Sequence, residues 1–362
     1  MQFTCNRSVL AEVASLVGQA VASKSTKKVF ECVRLIAGPG YVELSGTDLE
    51  VAMRSRVDAE VQTEGKAVVP ASLFSGVLRE IGDDTISVAV DRQKMVIETD
   101  GGRFELEGED PAQYPEIPEF PPEITGTMAP EDLKTLSRKT CFAAGKEAAR
   151  FVLNGVRLIV ADETLRAVAT DGRRLATVAR PLDGGTTEIS AIIGVKGMLH
   201  FEKVAAAAEG PVEVAVAKRF VSVRSGTSVA TARTLEGTFP DHNEIVPKET
   251  PLRAQAPVGM LAARVRQASQ FTSVESQSVV VSLAPGEMSL VASGGDGCAK
   301  VQLSVEYDGP EEKIGFNPAY LLDALKVIDG ETVTFGMTNK HAAATLRDGS
   351  GFVYVLMPVI VD

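Results

Sequence analysis

The chain has 362 residues, too many for one ordinary core and enough for about three domains of ~100–150 residues. Its hydrophobic content of 44% and charged content of 23% are those of a folded globular protein and exclude a disordered chain, and no stretch approaches the ~18 uncharged apolar residues of a membrane span. Taken in bulk, the net charge of −11 argues against a nucleic-acid binder, an inference that fails if positive charge is segregated on one surface.

In chain order, residues 1–7 hold no apolar signal core, so a cytoplasmic location is expected. Asn6 caps a predicted helix over residues 8–21, with Val9, Leu10, Val13, Leu16, Val17 and Ala20 at helical spacing. Alternation predicts strands over 29–36, 41–44 and 49–57, ending at Val68-Val69-Pro70. Pro70 opens a second helix through Leu73, Phe74, Val77, Leu78 and Ile81 to Gly82, and strands over 86–90, 95–99 and 104–107 follow. Residues 109–122, broken by five prolines, read as a linker. The plan then repeats. A helix runs from Pro130 toward Ala144, strands cover 150–159, 164–170, 175–180 and 190–193, a helix covers 195–208, and strands cover 212–217, 220–225 and 229–235. Finally a helix over 257–271, strands over 279–283, 288–293 and 299–307, a helix from Asn317-Pro318 to Ile328, and strands over 332–336, 343–346 and 353–357 end the chain.

Thr170-Asp171-Gly172 sits between two alternating runs and reads as a hairpin turn. Thr47-Asp48 repeats it upstream and Ser293 with Gly294-Gly295-Asp296-Gly297 repeats the strand and turn downstream, at equal spacing. The expectation is an α+β chain of three tandem units over residues 1–123, 124–250 and 251–362, each with two helices packed on antiparallel sheets.

Catalytic chemistry finds little support. Cys5, Cys32, Cys141 and Cys298 and the histidines His200, His242 and His341 are scattered singly, so no metal site or disulfide framework is expected and the thiols read as buried and free. No phosphate loop or nucleophile elbow is present, so neither a cofactor nor an enzyme activity is expected. Asp48 and Asp171 read as turn-forming aspartates that bond nearby backbone. The predicted helices together carry a slight positive surplus while the rest of the chain is strongly acidic. A mildly basic helical surface inside an acidic body is the arrangement this permits.

Met1-Gln2-Phe3-Thr4, Gly46 to Glu50, Tyr114-Pro115, Leu153-Asn154-Gly155, Ala169 to Ala176, Gly237 to Asp241, Ile314 to Asn317 and Val355 to Pro358 occur in the order and spacing of the bacterial DNA polymerase III beta subunit. The chain resembles that sliding-clamp family along essentially its whole length. The resemblance implies three DNA-clamp domains, a head-to-tail homodimeric ring with helices lining the hole, and a non-catalytic processivity factor that encircles double-stranded DNA without reading sequence. Its implied partners are the replicative polymerase alpha subunit, the clamp loader delta subunit and other clamp-motif proteins. The alternative is a non-ring interaction scaffold built from the same repeats.

Carried over residue by residue, the partner-peptide groove falls on Leu153, Thr170, Gly172, Arg173, Arg174, Leu175, Pro240, Ile245, Val355, Leu356, Met357, Pro358 and Val359. DNA-facing positions fall on Lys24, Ser72, Lys146, Glu147, Arg150, Phe151, Val152 and Lys196, and the ring seam on Phe104, Leu106, Gln270 and Phe271. Departures from the family pattern include Arg173 for a histidine, Glu244 for an arginine, Lys27-Lys28 for a Leu-Pro pair, and the tail Ile360-Val361-Asp362, which lacks a basic residue.

Overall fold

A computed structural model of the chain describes residues 1–272, 278–295 and 297–359, with the backbone alone for residues 148–150. It divides into two compact units, Met1–Lys134 with Leu182–Thr234, and Thr135–Pro181 with Leu235–Asp362. The middle repeat thus contributes segments to both.

Seven helices are described: α1 Arg7–Gly18, α2 Ala71–Glu80, α3 Pro130–Thr140, α4 Val195–Ala206, the single turn α5 His242–Ile245, α6 Val258–Ser269 and α7 Pro318–Leu325. Six were expected from periodicity. The α5 turn was not, because four residues are too few to show a period; it is set by Asp241, whose side chain accepts the Asn243 N–H at 3.0 Å. Asn6 caps α1 as expected, accepting the Val9 N–H at 3.2 Å, and Leu10, Ala14 and Val17 are buried. Helix α1 packs closely on the strand Tyr41–Thr47. A Cβ at Gly46 would stand 2.6 Å from the Val17 carbonyl oxygen, so the close approach depends on glycine there.

In the first unit twelve strands form one sheet. Its spine is Val51–Thr63, thirteen residues long. The start of this strand pairs with Ser228–Arg233 of the second repeat, with Arg54 opposite Val229, and its end pairs with the N-terminal strand Gln2–Asn6. In the second unit the strands Gly155–Ala161, Thr164–Thr170, Arg174–Pro181, Val353–Leu356, Ala344–Arg347, Thr332–Met337 and Leu252–Pro257 lie side by side in that order. Val353–Leu356 pairs there with Arg174–Pro181, so the last strand of the chain joins the middle repeat's hairpin. A second sheet orders Gly297–Ser304, Glu287–Gly294, Val279–Ala284 and Glu312–Phe316.

Two expected strand starts are 3₁₀ turns instead, Lys28–Glu31 and Ala148–Asn154, and the strands begin at Cys32 and Gly155. Local bonds compete with the ladder at both places: the Cys32 thiol donates to the Lys28 carbonyl at 3.3 Å and the Asn154 carboxamide to the Glu147 carbonyl at 3.1 Å. The thiols also divide. Cys5 and Cys32 are buried, and burial pushes them up to about 12 and about 11, whereas Cys141 is half-buried and Cys298 exposed. Cys298 lies on the outer strand of its sheet, where one face meets solvent.

Lys139 in α3 has 0% side-chain exposure and donates to Asp348, to Asp329 at 3.0 Å and to the Ser350 hydroxyl at 3.1 Å. Arg138 beside it forks onto both Asp329 oxygens at 2.7 and 2.8 Å. Burial alone would raise the Asp348 carboxyl, but the bonds from Lys139 and Ser350 outweigh it and hold the group below its ordinary 3.8. Such a depressed group stabilises the fold above pH 3.8 and loses that contribution as pH falls through the folded value. Lys139→Met should cost about 3–5 kcal/mol in urea unfolding at pH 7, because the Asp348 carboxylate is left buried without its cation. The sign of the acid dependence should also reverse. Mildly acid conditions that leave the wild type unchanged should raise the variant's stability, since its Asp348 then gains by protonation; a variant with unchanged stability and pH profile would contradict the burial of this pair.

Candidate functional site

The hairpin turn at residues 170–174 is built by two side chains. Thr170 donates from its hydroxyl to the Arg174 carbonyl at 2.6 Å and accepts the Gly172 N–H at 3.0 Å. Asp171 accepts the N–H groups of Arg173 and Arg174 at 2.9 and 3.0 Å. The first repeat makes the same turn: Thr47 donates to the Val51 carbonyl at 2.7 Å and accepts the Leu49 N–H at 3.0 Å, and Asp48 accepts from Glu50 and Val51 at 3.0 and 2.9 Å. Both aspartates are turn formers. Gly172 and Leu49 occupy the equivalent left-handed position, φ 87 and 77, which suits glycine and strains leucine.

Arg174 anchors the second hairpin. Its guanidinium bonds Asp171 at 2.9 Å, Asp323 of α7 at 2.8 Å and the Phe142 carbonyl at 2.8 Å, and lies 4.4 Å from the centre of the Tyr320 ring. Burial alone would lower its pKa. The bonds to Asp323 and Tyr354 and the charge of Asp171 more than offset this, so the group stays charged. Such a fork, with most donors used, is a fixed wall rather than a mobile charge.

Beside it lies a cavity of about 230 Å³ lined by Ala144, Gly145, Lys146, Glu147, Leu153, Asn154, Asp171, Arg173, Arg174 and Tyr320. Leu153, Arg173 and Arg174 were expected here. Tyr320 was not, because nothing local marks a tyrosine in the first turn of α7 as the partner of a distant hairpin. The Oδ1 of Asn154 is buried on this wall without a hydrogen-bond partner. Arg173 is exposed, and the Tyr320 hydroxyl and then the Glu147 charge raise its pKa. Its carbonyl accepts the Met357 N–H at 2.9 Å, which fixes the C-terminal segment against the hairpin.

The expected groove residues fall into two sets. Thr170, Leu175, Val355 and Leu356 are buried, with Leu175 opposite Val355 and Arg174 opposite Leu356 in one ladder. They lie in the ladder beneath the exposed residues of the site. Surface is offered by Arg173, Met357 at 46% exposure and Val359, with Pro240, Ile245 and Pro358 half-buried. Val152, expected to face DNA, packs against Gly237, where a Cβ would stand 2.3 Å from its methyl.

Of the other DNA-facing candidates, Lys24, Ser72 and Phe151 are exposed, as are Lys27 and Lys28. Lys146 and Glu147 line the cavity instead of standing apart from it. Lys196 is ion-paired with Asp48 of the first-repeat turn, a partner its sequence neighbourhood did not suggest. The side chain of Arg150 and the tail Ile360-Val361-Asp362 lie outside the described residues.

Of the seam candidates, Phe104 is 37% and Phe271 42% exposed, Gln270 is exposed, and Leu106 is buried at 1%. Leu106 is therefore core, because alternation along Arg103–Glu107 turns it inward. Among the described residues that strand pairs on one side only, with Lys94–Glu98, and ends its sheet. In the second unit Gly297–Ser304 likewise ends its sheet, and a Cβ at Gly297 would lie 3.5 Å from the Phe271 ring.

Comparison with known proteins covers the whole chain. Profiles for the DNA polymerase III beta subunit N-terminal, central and C-terminal domains match residues 1–118, 127–241 and 243–360. The beta sliding clamp of Pseudomonas putida is 29% identical over 366 residues, covering 99% of this chain and 100% of that one. That of Escherichia coli K12 is 27% identical over 365 residues, with the same coverage. Among solved structures, the DNA polymerase III subunit beta of Pseudomonas aeruginosa superposes with a TM-score of 0.95 at 27% identity, covering 100% of both chains. The Bacillus subtilis sliding clamp gives 0.94 at 23% identity, also over 100% of both, and shows the shared fold.

The burial pattern separates two substitutions. Leu175→Asp places a carboxylate in the ladder's core and should lower the melting temperature by several degrees, for a cost of about 3 kcal/mol or more. Met357→Ala removes an exposed side chain and should leave melting within about 1 kcal/mol of the wild type. Calorimetry on both variants checks this, and equal melting temperatures would contradict the assignment of Leu175 to the core.

Proposed function

Because this chain belongs to the DNA polymerase III beta subunit family, we propose that two copies close head to tail into a ring around double-stranded DNA and dock partner proteins through the cavity beside the Arg174 hairpin. The chain is a sliding clamp, a processivity factor of replication, as its relatives' names and its fold indicate. It has no catalytic role in this reading, works in the cytoplasm with chromosomal DNA, and serves the replicative polymerase alpha subunit and the clamp loader delta subunit.

The observation that carries the ring is the pair of open sheet ends. Among the described residues, Arg103–Glu107 and Gly297–Ser304 each leave a row of backbone donors and acceptors unpaired, and each has an exposed phenylalanine at hand, Phe104 and Phe271. The exposed side chains of the two strands include Arg103, Glu105 and Glu107 on one and Lys300 on the other. Strand addition between copies would satisfy both ends. Topological retention then replaces tight binding. A clamp that slides needs weak phosphate contacts, and a few exposed lysines such as Lys24, Lys27 and Lys28 supply attraction without sequence readout.

The groove takes a short peptide with apolar side chains. Met357, Pro358 and Val359 supply apolar surface, Tyr320 and Leu153 the cavity wall, and Arg173 and Arg174 the polar edge. Truncation after Leu356 keeps the buried ladder residues and removes this surface. It should lower affinity for a fluorescent clamp-motif peptide at least tenfold, by anisotropy, with little change in melting. Unchanged affinity would put the groove elsewhere.

The ring is tested by sedimentation. The wild type should run as a dimer at micromolar concentration, and Phe271→Asp, which buries a carboxylate in an apolar seam, should run as a folded monomer. A monomeric wild type would favour the non-ring scaffold.

A further inference from the structure

The proline-rich stretch at the end of the first repeat plays no part in groove, seam or DNA surface, yet it is held side chain by side chain. Cross-strand register places Arg34, Ser45, Arg54, Val229, Arg224 and Glu213 in one row across neighbouring strands, so their side chains share one face of the twelve-stranded sheet. Adjacent strands stand about 4.8 Å apart, so Arg34 and Arg54, or Arg54 and Arg224, are spaced by roughly 10 Å.

The linker runs across this row. The Tyr114 ring centre lies 5.2 Å from the Arg34 guanidinium, Glu119 pairs with Arg54 at 2.9 Å, and the Phe120 ring centre lies 4.2 Å from the Arg224 guanidinium. Tyr114 also donates its hydroxyl to the Ser45 carbonyl at 3.1 Å. On the sheet side Arg34 is held by the Ser45 hydroxyl at 3.2 Å and Arg224 by Glu213.

The central contact is unequal. The Arg54 side chain is 11% exposed and that of Glu119 86%, so an enclosed cation is neutralised from the solvent side by the linker. Lifting the linker would take from Arg54 both the Glu119 carboxylate and the Pro118 carbonyl, 3.5 Å away, which opposes the lift. The row also crosses a border: Arg34 and Arg54 stand on strands of the first repeat, Arg224 on one of the second, and they meet where Arg54 pairs with Val229.

We propose that this arginine row is a docking track for the linker Tyr114–Phe120, and that docking locks the joint between the first and second repeats. The track itself stands whether or not the peptide groove is correctly assigned.

Amide exchange on the full-length protein tests it. In Arg54→Gln with Arg224→Gln, the amides of residues 51–54 and 229–232 should exchange faster by on the order of tenfold, while the hairpin of residues 164–181 keeps its wild-type rate. The swap Arg54→Glu with Glu119→Arg should recover most of the protection, which loss of packing alone would not allow. Phe120→Ala, a change at a half-buried linker residue, gives a milder increase of about threefold and serves if the double variant does not fold. Joint amides that exchange at the wild-type rate in these variants, or loosening that the swap leaves uncorrected, would overturn the proposal.

Discussion

A sheet edge is a row of unpaired backbone donors and acceptors, and a chain of repeats has such edges at every border. In this protein two internal borders are closed by pairing. Val51–Thr63 of the first repeat takes Ser228–Arg233 of the second, and Arg174–Pro181 of the second takes Val353–Leu356 at the end of the chain. The middle repeat is shared between the two compact units. Arg103–Glu107 and Gly297–Ser304 each end a sheet.

Polar clasps reinforce the paired borders. Arg174 joins its own turn to α7 through Asp171 and Asp323, Lys139 joins α3 to the third repeat's turns through Asp348 and Asp329, and the arginine row holds the linker. Each uses an enclosed cation with two or more acceptors or a ring face, geometry in which an ion pair resists solvent screening. Their cost of desolvation is met by completeness: removing one partner leaves the other stranded. The same logic gives the cavity beside Arg174 a fixed wall.

Much of this was legible in the chain. The Asx turns at Asp48 and Asp171 follow from Thr-Asp between alternating runs, and helix caps at Asn6 and Asn317 are chemically explicit. Exposure was harder to read. Leu106, Leu175 and Val355 lie in alternating strands whose inward face cannot be chosen without the neighbouring layer. Tyr320 and the Asp48 partner Lys196 were invisible for a different reason: long-range pairing has no local period. The arginine row was hidden likewise, since Arg34, Arg54 and Arg224 become neighbours only through strand register.

The central claim is retention by topology and not by affinity, and one measurement addresses it directly. The protein, loaded by a clamp loader on nicked circular DNA, is passed over a sizing column at high salt before and after a single cut of the DNA. Phosphate contacts are screened under those conditions, so a ring should remain on the circle and fall off the linear form. Equal retention on both forms would mean that the protein holds DNA by contact, and equal loss from both that it does not encircle DNA; either result would contradict the account.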